Sequence, residues 1–488
     1  MLQKMCFTTF KGGFNMVKKW IAAAVSIGLV FSLAACSSQA GPTGNGGAAD
    51  QTNEVANTDS SQSTAAKTKI KYWTPDRHDA EFMKAKIDAF NKTNTDNIEV
   101  EMTVMGDNYP QAVDIAFASK QAPDVLQIND FSTYIQKGYL TPITSYMSEE
   151  MKTTFKDSLI QNKNTIGDDI YSLPNTGQTW RLIYNKDLFQ QAGIASPPKT
   201  LAELVEDAKK LTEAGKSSGA YGFASPFKSG GGFWRAANTI AGASIKTGTE
   251  GYNYQTGQFD FGMYKDIAEA LRQMDKDGSM LPGVESLDID PLRAQFAQGK
   301  IGMYINHSGE PGVYKDQFPT KVNWAAATVP TLDGTIKGAL QVVGGSYIGI
   351  SADSEHKEAA WKFMEYVYSV DFQKEYYENG YGVSLIPAVL SGGTKPNIPG
   401  IEGFLPNKYD AIYPANPSAV TESSLEGMKW SDTFAKYVLT GGNLDAIIQD
   451  LNKRYNDSLA KARAAGKTKI EADPGFDATA LLGKLAGE

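Results

Sequence analysis

Beyond residue 36 the chain has no cysteine: Cys6 and Cys36 are the two in a sequence of 488 residues. The remainder can form no disulfide, carries no thiol nucleophile and offers no thiolate to a metal. Histidine is nearly as scarce, with His78, His307 and His356 making up the full set of three, which argues against a histidine-rich zinc centre. No metal and no other cofactor is expected. The phosphate-cradling pattern Gly-x-x-x-x-Gly-Lys-Ser/Thr is absent too, which removes the commonest nucleotide-hydrolysing signature. Nor is there an excess of basic residues. The formal net charge is −8, and the segment up to Ala35, with four lysines and no acids, contributes none of the negative charge. Without that segment 43 basic residues face 55 acidic ones, a net −12. A nucleic-acid binder needs a basic face to displace phosphate counterions, so no nucleic-acid partner is expected.

What is present starts with an address. Lys18 and Lys19 precede an apolar run from Trp20 to Ala35, too short and too rich in small residues at its end for a membrane span. It reads as a signal peptide over residues 1–35, and Met16, directly before the lysines, is an alternative start. The run ends Leu33-Ala34-Ala35-Cys36 and resembles a bacterial lipobox, which implies lipidation at Cys36. From Ser37 to Lys67 the only large apolar residue is Val55, so this stretch lacks the surface to order itself and reads as a tether spanning about 30 Å. The expected location is the outer face of a bacterial cell membrane, held there by lipid.

The chain as a whole has 41% hydrophobic and 21% charged residues, and its body is globular and too long for one core. Ile70–Trp73 reads as a strand, Asp79–Asn91 as a helix with Met83, Ile87 and Phe90 on one face, and Ile98–Val104 alternates with period two. A helix near Gln111–Ser119 and a buried strand at Pro123–Ile128 come next. This alternation predicts α/β architecture with a mostly parallel sheet. Thr200 and Glu203 form a capping box before a helix. Further helices are expected over Pro291–Gln298, Glu355–Tyr368 and Leu444–Ala465, with a strand at Ile301–Ile305.

In their order and spacing several segments resemble the family 1 bacterial extracellular solute-binding proteins, which include maltose-binding protein. They read Pro123-Asp124-Val125-Leu126, Tyr171-Ser172-Leu173-Pro174, Leu182-Ile183-Tyr184-Asn185-Lys186-Asp187-Leu188-Phe189, Pro197-Pro198-Lys199-Thr200-Leu201, Gly299-Lys300-Ile301-Gly302-Met303, and Gly344-Gly345 leading to Ala359-Ala360-Trp361-Lys362-Phe363. The resemblance implies a two-lobed periplasmic-binding-protein-like fold of type II, with a ligand cleft between lobes joined by hinge crossings. It places one lobe at 68–176 plus 346–390 and the other at 177–345 plus 391–488, with crossings near Pro174–Thr179 and Val343–Ser346.

Ligands of open α/β sheets sit beyond the carboxyl ends of strands. For a sugar the useful groups are aromatic faces and planar polar side chains. The loop after the first strand offers Trp73, Thr74, Asp76 and Arg77, and the loop after the third offers Asn129 and Asp130, although Asp130 is equally placed to cap the next helix. The first crossing contributes Gln178, Thr179 and Trp180. In the second lobe Trp234 comes after a glycine run, and Asn306, His307 and Ser308 come after a strand. Gly345 and Ser346 could supply backbone donors, and Trp430 and Tyr381 are further aromatic candidates.

The resemblance thus implies a receptor that hands a mono- or oligosaccharide to the membrane permease of an ABC importer, acting as a monomer and not as an enzyme. Three rival readings stand beside it. The same fold could take a polyamine, peptide or metal chelate. A secreted glycosidase would need a carboxylate pair, for which Glu149-Glu150 and Asp168-Asp169 are available. A surface adhesin would use the scaffold for contact alone.

Overall fold

The first strand is built as its alternation dictates: Ile70, Tyr72 and Thr74 are buried on one face of Thr68–Thr74. In this computed structural model residues 67–160, 162–344, 347–483 and 485 are described; the signal-peptide segment, Cys36 and the tether up to residue 66 lie outside them, as do Gly345 and Ser346. The described residues belong to the unit Thr64–Glu488.

Among the described residues, twelve of the strands form the two main sheets and the small sheet that links them. In chain order they are β1 (Thr68–Thr74), β2 (Ile98–Val104), β3 (Val125–Gln127), β4 (Leu140–Thr141), β5 (Thr176–Gln178), β6 (Trp180–Asn185), β7 (Tyr221–Phe223), β8 (Ile301–His307), β9 (Trp324–Ala327), β10 (Val343–Gly344), β11 (Ile348–Ser351) and β12 (Val383–Ser384). The first sheet runs β2-β1-β3-β11-β4. Its first three strands are parallel, while β11 lies antiparallel to both β3 and β4. The second sheet runs β9-β6-β8-β7, with β6 antiparallel to β8 and β9, and β8 parallel to β7. The mostly parallel sheet expected from the sequence therefore holds for β1–β3 and not for the second sheet, because β6 enters that sheet from a crossing and runs against its neighbours.

Each sheet has its own core. Ile70, Met83, Ile87, Phe90, Ile348, Phe363 and Met364 share one. Leu182, Leu204, Phe233, Met303, Phe434 and Tyr455 belong to the other. The lobes are linked by a small antiparallel sheet, β10-β5-β12, and the chain passes between the cores a further time between Leu390 and Phe404.

Helix boundaries agree with their caps. Thr200 Oγ1 accepts from Glu203 N while the Glu203 carboxylate accepts from Thr200 N, and Leu201–Gly215 continues as a helix. The helices Ala80–Thr93, Tyr109–Ala118, Ile289–Ala297, Lys357–Val367 and Leu444–Ala464 stand within a few residues of their expected places. The sequence Gly215-Lys216-Ser217-Ser218-Gly219 spells Gly-x-Ser-x-Gly. It lies at the end of a helix and leads into β7, so Ser217 is not on the strand-to-helix turn that a nucleophile elbow requires.

One buried ion pair fixes the returning chain to the second sheet. Arg181 and Asp410 are both fully buried, with Nη1–Oδ1 at 2.9 Å and Nη2–Oδ2 at 2.6 Å. The other three guanidinium protons go to Gly403 O, Trp180 O and Leu405 O. Every donor of Arg181 is thus used, the condition under which a buried charge is tolerated.

Candidate ligand-binding cleft

A cleft of about 1030 Å³ lies between the two cores. Its floor is polar because the carboxyl ends of β1 and β3 meet there. Thr74 Oγ1 donates to Gln127 Oε1 at 2.6 Å, Gln127 Nε2 donates to Asp76 Oδ2 at 2.7 Å, and Asp76 N donates back to Thr74 Oγ1 at 3.0 Å. This ring orients Asp76 toward the cleft with one carboxylate oxygen still uncommitted to Gln127. Beside it Tyr376 OH donates to Asp79 Oδ2 at 2.8 Å, and burial, with Asp76 nearby, raises the Asp79 pKa. Asp76, His78 and Asp79 bring one ligand atom each within 4.8 Å of one another. With Asp76 held by Gln127 and Asp79 by Tyr376, this corner is already knitted by hydrogen bonds.

Aromatic faces come from both lobes: Phe131, Tyr347, Tyr376 and Tyr381 on one side, Trp234 and Trp430 on the other. Amides stand between them, including Asn129, Asn175, Gln178, Gln341 and Asn416. Gln341 is fixed by Asn238 Nδ2 at 2.7 Å and Thr249 Oγ1 at 3.0 Å. Charges of both signs complete the wall. Lys429 is paired with Glu422 at 2.8 Å; burial opposes its charge, but Glu422, with Asp130 and Asp432 beyond, holds its pKa above the ordinary value. Lys163 comes from the first lobe and Glu250 from the second. Burial lowers the Lys163 pKa, and Glu250 opposes that shift. Glu250 accepts from Asn416 Nδ2 at 3.0 Å.

Asn162 and Glu250, both on the cleft wall, hold φ of +62° and +53°. Asn tolerates left-handed backbone, whereas at Glu250 it is strained.

Of the residues singled out from sequence, Asp76, Asn129, Asp130, Gln178 and Trp234 line the cleft, as do Tyr381 and Trp430. Asp130 does both things the sequence allowed: it caps the helix Phe131–Gln136, accepting from Thr133 N and Thr133 Oγ1, and it faces the cleft. Trp73 does not line it. The period of β1 turns its ring to the opposite sheet face, against the cluster of Tyr109, Val113 and Phe117. Arg77 lies outside the cleft wall, 3.8 Å from Asp290 of the second lobe, and its carbonyl accepts from Gln317 Nε2. Trp180 is buried behind Trp234, with ring centroids 5.0 Å apart edge to face. His307 sits behind it in turn, 5.5 Å from the Trp180 ring, with Nδ1 accepting from Gly309 N. Gly345 and Ser346 fall outside the described residues. Sequence reasoning missed Gln127, Lys163, Glu250, Gln341 and Asn416. For Gln127 the signal was present, since it ends the third strand; for the others no local pattern marks them.

The family model described as bacterial extracellular solute-binding protein matches residues 74–374. A binding protein of Brucella abortus is 26% identical over 248 residues, covering 50% of this chain and 58% of that protein. The sn-glycerol-3-phosphate-binding periplasmic protein UgpB of Agrobacterium fabrum is 26% identical over 299 residues, covering 56% of this chain and 64% of the relative. The chain thus spans less than two thirds of the length of either. Among solved structures, a Thermotoga lettingae ABC transporter solute-binding protein bound with α-D-tagatose has a TM-score of 0.63 at 21% identity, covering 80% of this chain and 99% of that one. A Bacillus licheniformis sugar transporter in complex with stachyose has a TM-score of 0.61 at 16% identity, covering 80% of this chain and 100% of that one. Identities this low speak to the fold alone, and the fold they share is the two-lobed one.

Proposed function

The chain belongs to the bacterial extracellular solute-binding proteins, and we propose that it is the receptor of an ABC importer that closes on a carbohydrate and delivers it to the membrane permease. The observation that carries this reading is the cleft wall, where aromatic faces alternate with planar amides and carboxylates on both lobes. Sugar rings present apolar C–H faces and hydroxyl edges, and such a wall meets both. A volume of about 1030 Å³ stands at the upper end of the roughly 300–1,000 Å³ of small-molecule sites, which favours a ligand of more than one ring. Solved neighbours in complex with tagatose and stachyose point the same way.

In this reading residues 68–176 and 346–390 form one lobe, and 177–345 with 391–488 the other. Cys36 carries the lipid, and the segment to Lys67 tethers a monomer to the outer face of the membrane. Asp76, Asn129, Asp130, Gln178, Trp234, Tyr381 and Trp430 contact the sugar.

The test is thermal unfolding of the purified protein against mono- and oligosaccharides, polyamines and short peptides. A ligand that binds the folded form alone adds about 2.7 kcal/mol at a hundredfold excess over Kd. A rise in Tm with one carbohydrate class, lost in Trp234→Ala, is the expected result. A rise only with a polyamine or a peptide would keep the fold and replace the ligand.

A further inference from the structure

Behind Trp234 the second lobe contains hydrogen-bond donors that nothing among the described residues accepts. Trp180 Nε1, Ser308 Oγ and Arg235 Nε are buried and lack a partner there, with Trp180 5% exposed and Ser308 1%. The backbone gathers them. Trp180 lies opposite His307 across β6 and β8, and Ser308 N donates to Thr179 O at 2.9 Å. Trp234, whose ring meets Trp180, begins the helix Gly231–Ser244 together with Arg235.

One cation of this buried layer lacks a carboxylate of its own. Arg293 is committed to Glu310 and Asp290. Glu310 accepts from Arg293 and Asn306 on one oxygen and from Tyr304 on the other. Arg235 donates to Gly231 O at 3.1 Å and pairs with no carboxylate among the described residues. Burial and the neighbouring Arg293 both work against its charge, and Glu310 and Asp288 only partly offset them. Arg181, on β6 of the same lobe, has every donor used and a carboxylate of its own; Arg235 has neither. His307, with Nδ1 already an acceptor for Gly309 N, presents its other ring nitrogen as a donor. A group of buried donors that includes an arginine without a carboxylate of its own is matched by an oxyanion, which accepts from several donors and supplies a counter-charge. The unpartnered Asn306 Oδ1 adds one acceptor, suited to a hydroxyl beside that oxyanion.

We propose that Trp234 swings aside to open a recess onto these donors, and that the recess receives the carboxylate or phosphate of an acidic carbohydrate whose remaining rings lie in the cleft. The proposal rests on the carbohydrate-receptor reading and narrows its substrate class.

Calorimetric titration of the full chain with matched pairs tests it: glucose against glucuronate and glucose 6-phosphate, and neutral oligosaccharides against the same oligosaccharides ending in a uronic acid. The acidic member is expected to bind at least tenfold more tightly than its neutral counterpart. Whether the carboxylate or the phosphate gains more identifies which oxyanion the recess fits. Trp180→Phe, which keeps the ring and removes the N–H, and Ser308→Ala should each narrow the gap severalfold. Arg235→Met should close it. Neutral and acidic sugars bound equally would overturn the recess and leave the receptor reading standing, as would an acidic preference that all three variants retain. No response to any sugar, neutral or acidic, would overturn both.

Discussion

His307 illustrates how a single side chain carries a pH dependence. Burial, reinforced by Arg293, His78 and Arg235, holds its pKa well below 6.5 in the folded chain, whereas in the unfolded chain the ring returns to about 6.5. Below that pH the unfolded state takes up a proton that the folded state refuses. The contribution of this residue is therefore intact above about pH 6.5 and is lost as pH falls toward the folded value. His307→Gln is expected to reduce the fall in urea midpoint between about pH 7 and pH 5 relative to the unmodified protein. Equal slopes would mean that the ring protonates freely in the folded state. At this scale the sequence was partly legible. Asp76 and Trp234, which line the cleft, were singled out because strand ends and glycine runs expose the residues just after them. Trp73 was misplaced because alternation says that two faces differ without saying which one a helix will cover.

Elements were the most legible scale, since helix periodicity and capping act over neighbours in the chain. The Thr200–Glu203 box and the stop at Gly299, whose φ is +74°, are read directly from residue types. Strand pairing was not legible, because nothing local to Ile348–Ser351 shows that it will insert between β3 and β4 in the opposite direction. The crossing at β10 depends on a residue whose role is purely steric. Gly344 has φ of +152°, and a Cβ there would lie 2.7 Å from Thr176 O and 2.9 Å from Gly177 Cα. Gly344→Ala is expected to cost about 1–3 kcal/mol in urea unfolding, through strain where β10 pairs with β5. An unchanged midpoint would show that the crossing relaxes around the methyl group.

Across the whole molecule the lobes meet at more than the crossings. Arg77 faces Asp290 at one edge, Asp130 acts on Lys429 at another, and Lys163 faces Glu250 across the cleft. These attractions join residues far apart in the chain, and for that reason none was visible in the sequence. Lys163 and Glu250 line the cleft from the two lobes and attract each other electrostatically, with left-handed backbone at Glu250 and at the neighbour Asn162. Glu250→Gln should therefore weaken ligand binding about tenfold, or about 1.4 kcal/mol. It should also reduce the ligand-dependent decrease in radius of gyration seen by small-angle scattering. Unaltered affinity and compaction would remove the pair from lobe closure.

The first sheet holds one further consequence. Its fourth strand in spatial order, β11, is supplied by Ile348–Ser351 and lies between β3 and β4. As the chain emerges from the ribosome, the first sheet is thus begun early and closed late: β3 and β4 wait, with the facing edges of each unpaired, while more than two hundred residues between Thr141 and Ile348 are synthesised. The segment that ends that wait follows directly on β10, so the first sheet is closed by the same stretch of chain that makes the second crossing, and the helices Lys357–Val367 and Val370–Glu378 then cover it.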